Sequence, residues 1–471
     1  MLKKLMQYAP VQIFSALSVF LLIAIQTKFL GVEDYGMLAI FFLIIEVVRS
    51  FSAQWVNTSL LRLYPAASKE NQNHYRTIAV YLLSALFLPA AGLVAAAIFY
   101  YEVFTWSILI YLSLLLLSKS AYMLLLDMAR LNDRASAYRT TSMLQSLLSI
   151  LLTYVFLSYS SVLESALLAL AVSYVVVLPF VVIRVRLTIL YDAKSLAIPM
   201  FTYGLPLLVS GTLASLSSRV DRLFIADSIG LVETGVYSAL SNMLLGVMAL
   251  VFMVVAMPLY PEMTKAINNK AKLAVLHAKY FKMLMLVSLP ALIGVCLIAE
   301  PMISLFLTAE YLQYGVELFY ILALSVFILN VRGHYVDHGL QFTLNTHFLP
   351  FIVGVSIIIN IALLSILLGE YGLYGAAVAS LVTNIITLCI SFVVAKRKGY
   401  QYHFSVDLIK IIFASAVMTV VMLFLRSVLA VHSNGFQLSI LISCGALSYA
   451  GMHFLLNTAN VRSYFDKVLS K

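Results

Sequence analysis

Charge is scarce in this chain: Asp, Glu, Lys and Arg make up 11% of its 471 residues, where a typical soluble domain carries about a quarter. With 63% hydrophobic residues on the other side of the balance, a water-soluble fold is excluded. Cysteine is equally sparse. Cys296, Cys389 and Cys444 each sit in apolar stretches with no paired spacing, which excludes a disulfide framework or a cysteine metal site and leaves packing roles. Long polar stretches are missing too, so no soluble domain is left over. The first thirty residues have a basic start, but their apolar run exceeds a signal h-region and lacks a small-x-small cleavage site. They read as a retained first span.

Apolar runs of about 20 residues recur down the whole chain, each long enough to cross a hydrocarbon core of about 30 Å as a helix. The pattern predicts an all-α polytopic membrane protein of about fourteen spans. They fall at 8–30, 37–61, 77–101, 105–127, 138–158, 164–184, 196–229, 234–260, 283–308, 316–343, 348–369, 372–395, 407–430 and 436–457. The links alternate in charge. "RLYPAASKENQNHYR", "ARLNDRASAYR", "RVRLTILYDAK", "TKAINNKAKLAVLHAKYFK", "KRKGYQYHFSVDLIK" and the tail "VRSYFDKVLSK" are basic, whereas "GVEDYG", "YYEVF", "VLES", "IGLVETG", "TAEYLQYGVE" and "LGEYG" hold acids and no Lys or Arg. By the positive-inside rule the basic set and both termini face the cytoplasm. The net charge of +10 therefore reports topology, and no nucleic-acid partner is called for.

An internal repeat shows at the outer turns. "GVEDYGMLA" follows the first span and "GLVETGVYSA" the seventh, with Gly31 and Gly36 matched by Gly230 and Gly235. Glycine in tight turns commonly serves positive φ. The offset of six spans suggests lobes at 1–190 and 191–400, of the same orientation, and an appended helix pair with tail at 401–471.

Six cations remain inside spans, namely Lys28, Arg49, Lys119, Arg219, Arg222 and Arg332, against the acids Glu46, Asp221, Glu300 and Asp337. A buried charge in hydrocarbon costs about 2.5–3.5 kcal/mol on insertion scales, so such residues mark function or pairing. Lys28 is near enough to Gly31 to snorkel outward, and Lys119 is within similar reach of the end at Asp127. Glu46 lies one helical turn from Arg49 and can pair with it. On a continuous helix Arg219 and Arg222 share a face while Asp221 turns away, so Asp221 neutralises one of them at most. Proline and glycine at Pro206 and Gly211 are expected to bend this long span. His334, Asp337 and His338 follow Arg332 and carry the right chemistry for a proton relay; histidines satisfied by neighbouring helices are the alternative. Guanidinium forks suit phosphate, so a cationic chamber between two lobes would receive an amphipathic anion. No metal, cofactor or catalytic residue is implied.

"KFLGVEDYGMLAI", "SRVDRLFIADSIGLVETGVYSAL" and "GEYGLYGAAVASLVTNIITLCISFVVAKRKGY" together resemble the polysaccharide biosynthesis, or Wzx-type, flippases of the MOP exporter superfamily. That resemblance implies a MATE/MOP-like fold and the transfer of undecaprenyl-diphosphate-linked oligosaccharide between leaflets of the bacterial inner membrane by alternating access, with ion coupling. It also implies polysaccharide polymerase and chain-length machinery as partners beside the membrane lipids. Asp221 and Arg222 match the family's span-seven motif, and Arg49, Arg219 and Arg332 match its intramembrane cations in kind. The alternatives are a lipid II flippase, another exporter of the superfamily, or a glycan polymerase or ligase. A drug exporter would show an acid-rich interior, and a polymerase a sizeable outer loop; here every outer link has about ten residues or fewer.

Overall fold

The computed structural model describes residues 2–132, 134–182, 194–403, 407–429 and 432–457. The links at 184–194 and 461–471 and the expected lobe boundary at 190 lie wholly or largely outside them. Among the described residues the secondary structure is helical, without strands. Packing divides the chain into one unit spanning Met1–Ser238 and another spanning Ala239–Lys471.

The first unit holds α1 (Leu2–Phe29), α2 (Val32–Arg49), α3 (Trp55–Leu63), α4 (Lys69–Tyr100), α5 (Trp106–Leu131), α6 (Ala135–Tyr159), α7 (Leu163–Val182), α8 (Lys194–Ser217) and α9 (Val220–Ser228). Polar caps start the helices that begin at water. The Ser68 hydroxyl accepts from the Asn71 N–H at 3.4 Å, and Thr105 accepts from Ile108 at 3.2 Å, each satisfying an N–H that the helix leaves orphaned. Within this unit α5, α6 and α7 pack mutually, α1 lies along α6, and α3 lies along α8. A core of Trp55, Leu60, Tyr64, Ile78, Leu124, Met128 and Met200 fills the space between α3, α4, α5 and α8. At Gly204 the α8 backbone comes so near α3 that an added Cβ would strike the Trp55 ring.

The helix α10 (Leu231–Lys265) opens in the first unit and continues into the second, which contains α11 (Lys270–Leu297), α12 (Ala299–Phe306), α13 (Gly315–Val331), α14 (His338–Phe342), α15 (Phe348–Arg397), α16 (Leu408–Leu429) and α17 (Asn434–Leu455). There α13 packs on α15, and α16 packs on α17 and α11. Large apolar side chains such as Leu88, Trp106, Ile409 and Leu447 are exposed, as a surface in contact with lipid requires.

Twelve helices among the described residues are long and apolar enough to cross a membrane. One of them, α15, is 50 residues long and turns at Gly372, whose φ of 53° and ψ of −135° leave helical space. It therefore makes two crossings. With α1, apolar over Leu17–Phe29, the count reaches the fourteen expected.

Three local expectations need correction. The span read at 196–229 is not one bent helix: Pro206 and Gly211 stay inside α8, and the break falls at Ser218 and Arg219, where Arg219 has φ −149° and ψ 4°. The repeated glycines are not chiefly turn formers. Gly230 does take positive φ, at +126°, but Gly31 is extended with φ −60°. Gly36 and Gly235 instead let backbones meet: a Cβ on Gly36 would collide with the Leu231 carbonyl, and one on Gly235 with the Val32 carbonyl. Finally, Glu300 does not sit within one continuous span at 283–308. The helix ends at Leu297 and restarts as α12, which leaves the Glu300 side chain 54% exposed and paired with Arg426.

Candidate functional site

In the first unit the charges converge on Glu46. Arg49 donates to its Oε2 from Nη2 at 2.9 Å and from Nε at 3.2 Å, as the spacing of three on α2 predicts. Lys119 on α5 donates to the other carboxylate oxygen, a partnership that one helix alone could not reveal. The helix then passes into a π-helical stretch, Ser50–Gln54, a feature frequent at functional sites because the extra residue per turn re-aims side chains. Gln54 Oε1 accepts from Arg49 Nη2 at 3.4 Å and from Ser50 Oγ at 2.8 Å, and Ser50 Oγ also meets Ser215 Oγ of α8 at 2.6 Å.

The break between α8 and α9 places Arg219 and Arg222 in different surroundings. Tight bonds cross it, from the Arg219 N–H to the Leu216 carbonyl at 3.0 Å and from the Arg222 N–H to the Arg219 carbonyl at 3.1 Å. Arg222 is 1% exposed, whereas Arg219 is only partly buried, and with Arg219 outside helical geometry the two do not stand on one continuous helix. Arg219 feels the charges of Arg222, Glu46, Asp221 and Arg49. Within the first turn of α9, the Asp221 Oδ1 accepts from the Arg222 N–H at 2.9 Å. Four of the expected cations, Arg49, Lys119, Arg219 and Arg222, thus lie around two carboxylates, Glu46 and Asp221. Asp127 also reaches the field of Arg49, but its ion pair is with Arg130 at 3.8 Å. Lys28 is exposed next to the end of α1 and joins no ion pair among the described residues.

The second unit carries the remaining cation. Arg332 is buried and opens another π-helical stretch, Arg332–Val336. Its Nη1 donates to Thr387 Oγ1 at 2.8 Å, and its Nε lies 3.8 Å from Asp337 Oδ2. Asp337 Oδ1 in turn accepts from Ser391 Oγ at 2.5 Å. Thr387 and Ser391 are one turn apart on α15, so that helix supplies both hydroxyls.

The three groups of the expected relay point to different places. Asp337 faces Arg332 and Ser391, His334 lies against the Phe252 ring at 5.5 Å, and His338 enters an aromatic box with Tyr260 at 4.9 Å and Tyr280 at 5.4 Å. That box contains a histidine that sequence reasoning missed. His277, fully buried on α11, lies 5.9 Å from His338, stacks on Tyr335 at 4.3 Å, and shares a 2.6 Å hydrogen bond between Nδ1 and the Tyr400 hydroxyl. Its Nε2 and the His338 Nδ1 are buried without a hydrogen-bond partner among the described residues. The recoverable signal was helical: His277, Tyr280 and Phe281 stand at i, i+3 and i+4, an aromatic face inside a lysine-rich link. Outside the spans, burial raises the Tyr400 and Tyr402 phenols above their usual range and keeps both as hydrogen-bond donors at neutral pH. Tyr402 donates to the Val336 carbonyl at 2.6 Å, closing the π-helical stretch from outside.

Apolar helices long enough to cross a membrane, with charged side chains gathered where α2 and α13 pass into π-helical turns and where α8 gives way to α9, make this a multi-pass membrane protein, and solved transporters share its fold. The lipid II flippase MurJ in an inward closed conformation matches with a TM-score of 0.76 at 15% identity, over 98% of this chain and 100% of that one. An inward-facing multidrug resistance MATE family transporter of the MOP superfamily matches at 0.59 and 15%, over 83% and 98%. The Vibrio cholerae MATE transporter VcmN in its bent form matches at 0.53 and 16%, over 84% and 96%. At these identities the likeness is one of fold. No curated protein sequence matches the chain. Residues 25–316 match the family described as polysaccharide biosynthesis protein, and the chain belongs to that family.

Proposed function

We propose that the protein is a flippase, not an enzyme, that moves undecaprenyl-diphosphate-linked oligosaccharide units from the cytoplasmic to the periplasmic leaflet of a bacterial inner membrane. The observation that carries this reading is the excess of cations around Glu46. One carboxylate is shared by Arg49 and Lys119, with Arg219 in the same field. A diphosphate supplies the negative charge that this cluster lacks, and guanidinium forks bind it with directed hydrogen bonds. Arg332, tied to Thr387 and Asp337, would offer the second unit's contact during alternating access. Coupling to an ion would run through the Arg332–Asp337 pair and the His277–His338 box. Polysaccharide polymerase and chain-length machinery would receive the product.

A lipid II flippase is the second reading, favoured by the match to the lipid II flippase MurJ over 98% of this chain. One experiment separates the two. The gene is expressed in a strain that lacks its oligosaccharide flippase and in a strain depleted of lipid II flipping. Return of surface glycan in the first supports the main reading, and return of growth in the second supports the other. In whichever strain responds, Arg49→Ala and Arg332→Ala should each lower rescue at least about tenfold, the loss of one charge-assisted contact, at unchanged membrane abundance. Full rescue by both variants would remove these side chains from the mechanism.

A further inference from the structure

A second group of cations lies in the first unit, and it includes no residue of the Glu46 cluster. Between α4, α5, α6 and α7 is a cavity of about 540 Å³, within the ~300–1,000 Å³ usual for small-molecule sites. Arg76 and Arg134 both line it, together with Asn132 and the hydroxyls of Ser136, Thr140 and Thr141. The Arg76 guanidinium lies over the Tyr64 ring at 4.9 Å and donates to the Tyr64 hydroxyl, to Asn132 Oδ1 at 2.5 Å and to Asn73 Oδ1 at 3.3 Å. Every one of these partners is neutral. The Arg76 Nε is buried with no hydrogen-bond partner among the described residues. Arg134 is close enough for its charge to act on Arg76. Among the described residues neither guanidinium is ion-paired with a carboxylate.

Two like charges held beside one cavity repel, and an anion between them reverses the sign of that term. The backbone points the same way. Arg134 stands at the N-cap of the 25-residue α6 without a side-chain cap, so the first N–H groups and the helix dipole remain available to an acceptor. The remaining lining is apolar and includes Leu125, Met128, Phe180 and Val181. Phe180 is 63% exposed and continues the exposed apolar face of α7 at Val175 and Val176. A ligand that satisfies both kinds of lining is an anionic headgroup carrying an apolar chain along α7.

We infer that this cavity binds a phosphate group, and that its carrier is a lipid. The inference is independent of the flippase reading, because it concerns a site that the Glu46 cluster does not include.

The test uses the full chain purified in neutral detergent, with thermal unfolding followed by tyrosine fluorescence during titration of three probes. These are phosphatidylglycerol, a diacylglycerol with the same chains, and inorganic pyrophosphate. Phosphatidylglycerol should raise Tm and diacylglycerol should not. Arg134→Gln should weaken the phosphatidylglycerol response about tenfold, the effect of one charge-assisted contact. Arg76→Gln should do the same; because Arg76 also anchors Tyr64 and Asn132, the exposed Arg134 keeps the test sound if that variant does not fold. Lys69→Gln, at an exposed position at the start of α4 and outside the cavity lining, should respond as the wild type. A response to pyrophosphate that is lost in Arg134→Gln would keep the phosphate site and assign it a soluble ligand. Equal responses to phosphatidylglycerol and diacylglycerol, an unaltered response in Arg134→Gln, or an equal loss in Lys69→Gln would overturn the inference.

Discussion

Glu46 holds two cations at once, and the consequences of that can be measured. Arg49 comes from its own helix and Lys119 from α5, so the carboxylate joins α2 to α5 as well as setting local charge. Glu46→Gln leaves two cations facing a neutral amide, and the loss of charged hydrogen bonds should cost about 1.5–3 kcal/mol. Thermal unfolding in detergent should show a lower Tm. The double variant Glu46→Gln/Lys119→Met should recover part of that loss, since it removes one of the stranded charges. If the double variant is as unstable as the single one, the carboxylate does not act by balancing Lys119. The Glu46–Arg49 pair was legible because both residues sit on one helix at a spacing of three. Lys119 was not, being 73 residues away in sequence. His277 was hidden for another reason: Lys265, Lys270, Lys272, Lys279 and Lys282 surround it, and that composition reads as a solvated link, although one face of the same helix turns inward.

At the scale of elements, the breaks carry most of what the sequence concealed. Apolar length and polar caps locate the helices, and the acid-bearing turns locate their ends. The interruption at Ser218 and Arg219, however, contains neither proline nor glycine, and its geometry depends on packing rather than local propensity. Both π-helical stretches are equally silent in sequence, because one extra residue per turn leaves composition unchanged. The glycine repeat was visible, but its physical reason was not, since close backbone approach requires knowing which helix lies opposite. Gly36→Leu should therefore be poorly tolerated. Its Cβ would meet the Leu231 carbonyl, and overpacking of this kind costs at least about 1–3 kcal/mol. Gly246→Leu, at a site with open space, should behave as the wild type. Membrane abundance and detergent Tm of fluorescent fusions report both. Equal loss in the two variants would mean that α2 and α10 do not depend on this contact.

For the whole molecule, the fourteen crossings followed from run length alone, because hydrocarbon thickness leaves a membrane chain little freedom. The alternating links predict sidedness, and labelling can check it. In a cysteine-free background, Asn71→Cys and Lys398→Cys should react with an impermeant maleimide only when the cytoplasmic face is accessible. Glu310→Cys should react only from the outside. The reverse pattern would invert the topology, and labelling of all three from one face would break the span count. Much of that count hangs on Gly372. A Cβ there would find open room, so the demand for glycine lies in its backbone angles. Its effect is one of parity. A straight helix of 50 residues would extend about 75 Å and deliver everything after it to the wrong side of the membrane. Tyr400 could then never reach His277. The two backbone torsions of one glycine thus decide whether the chain beyond it counts as odd or even.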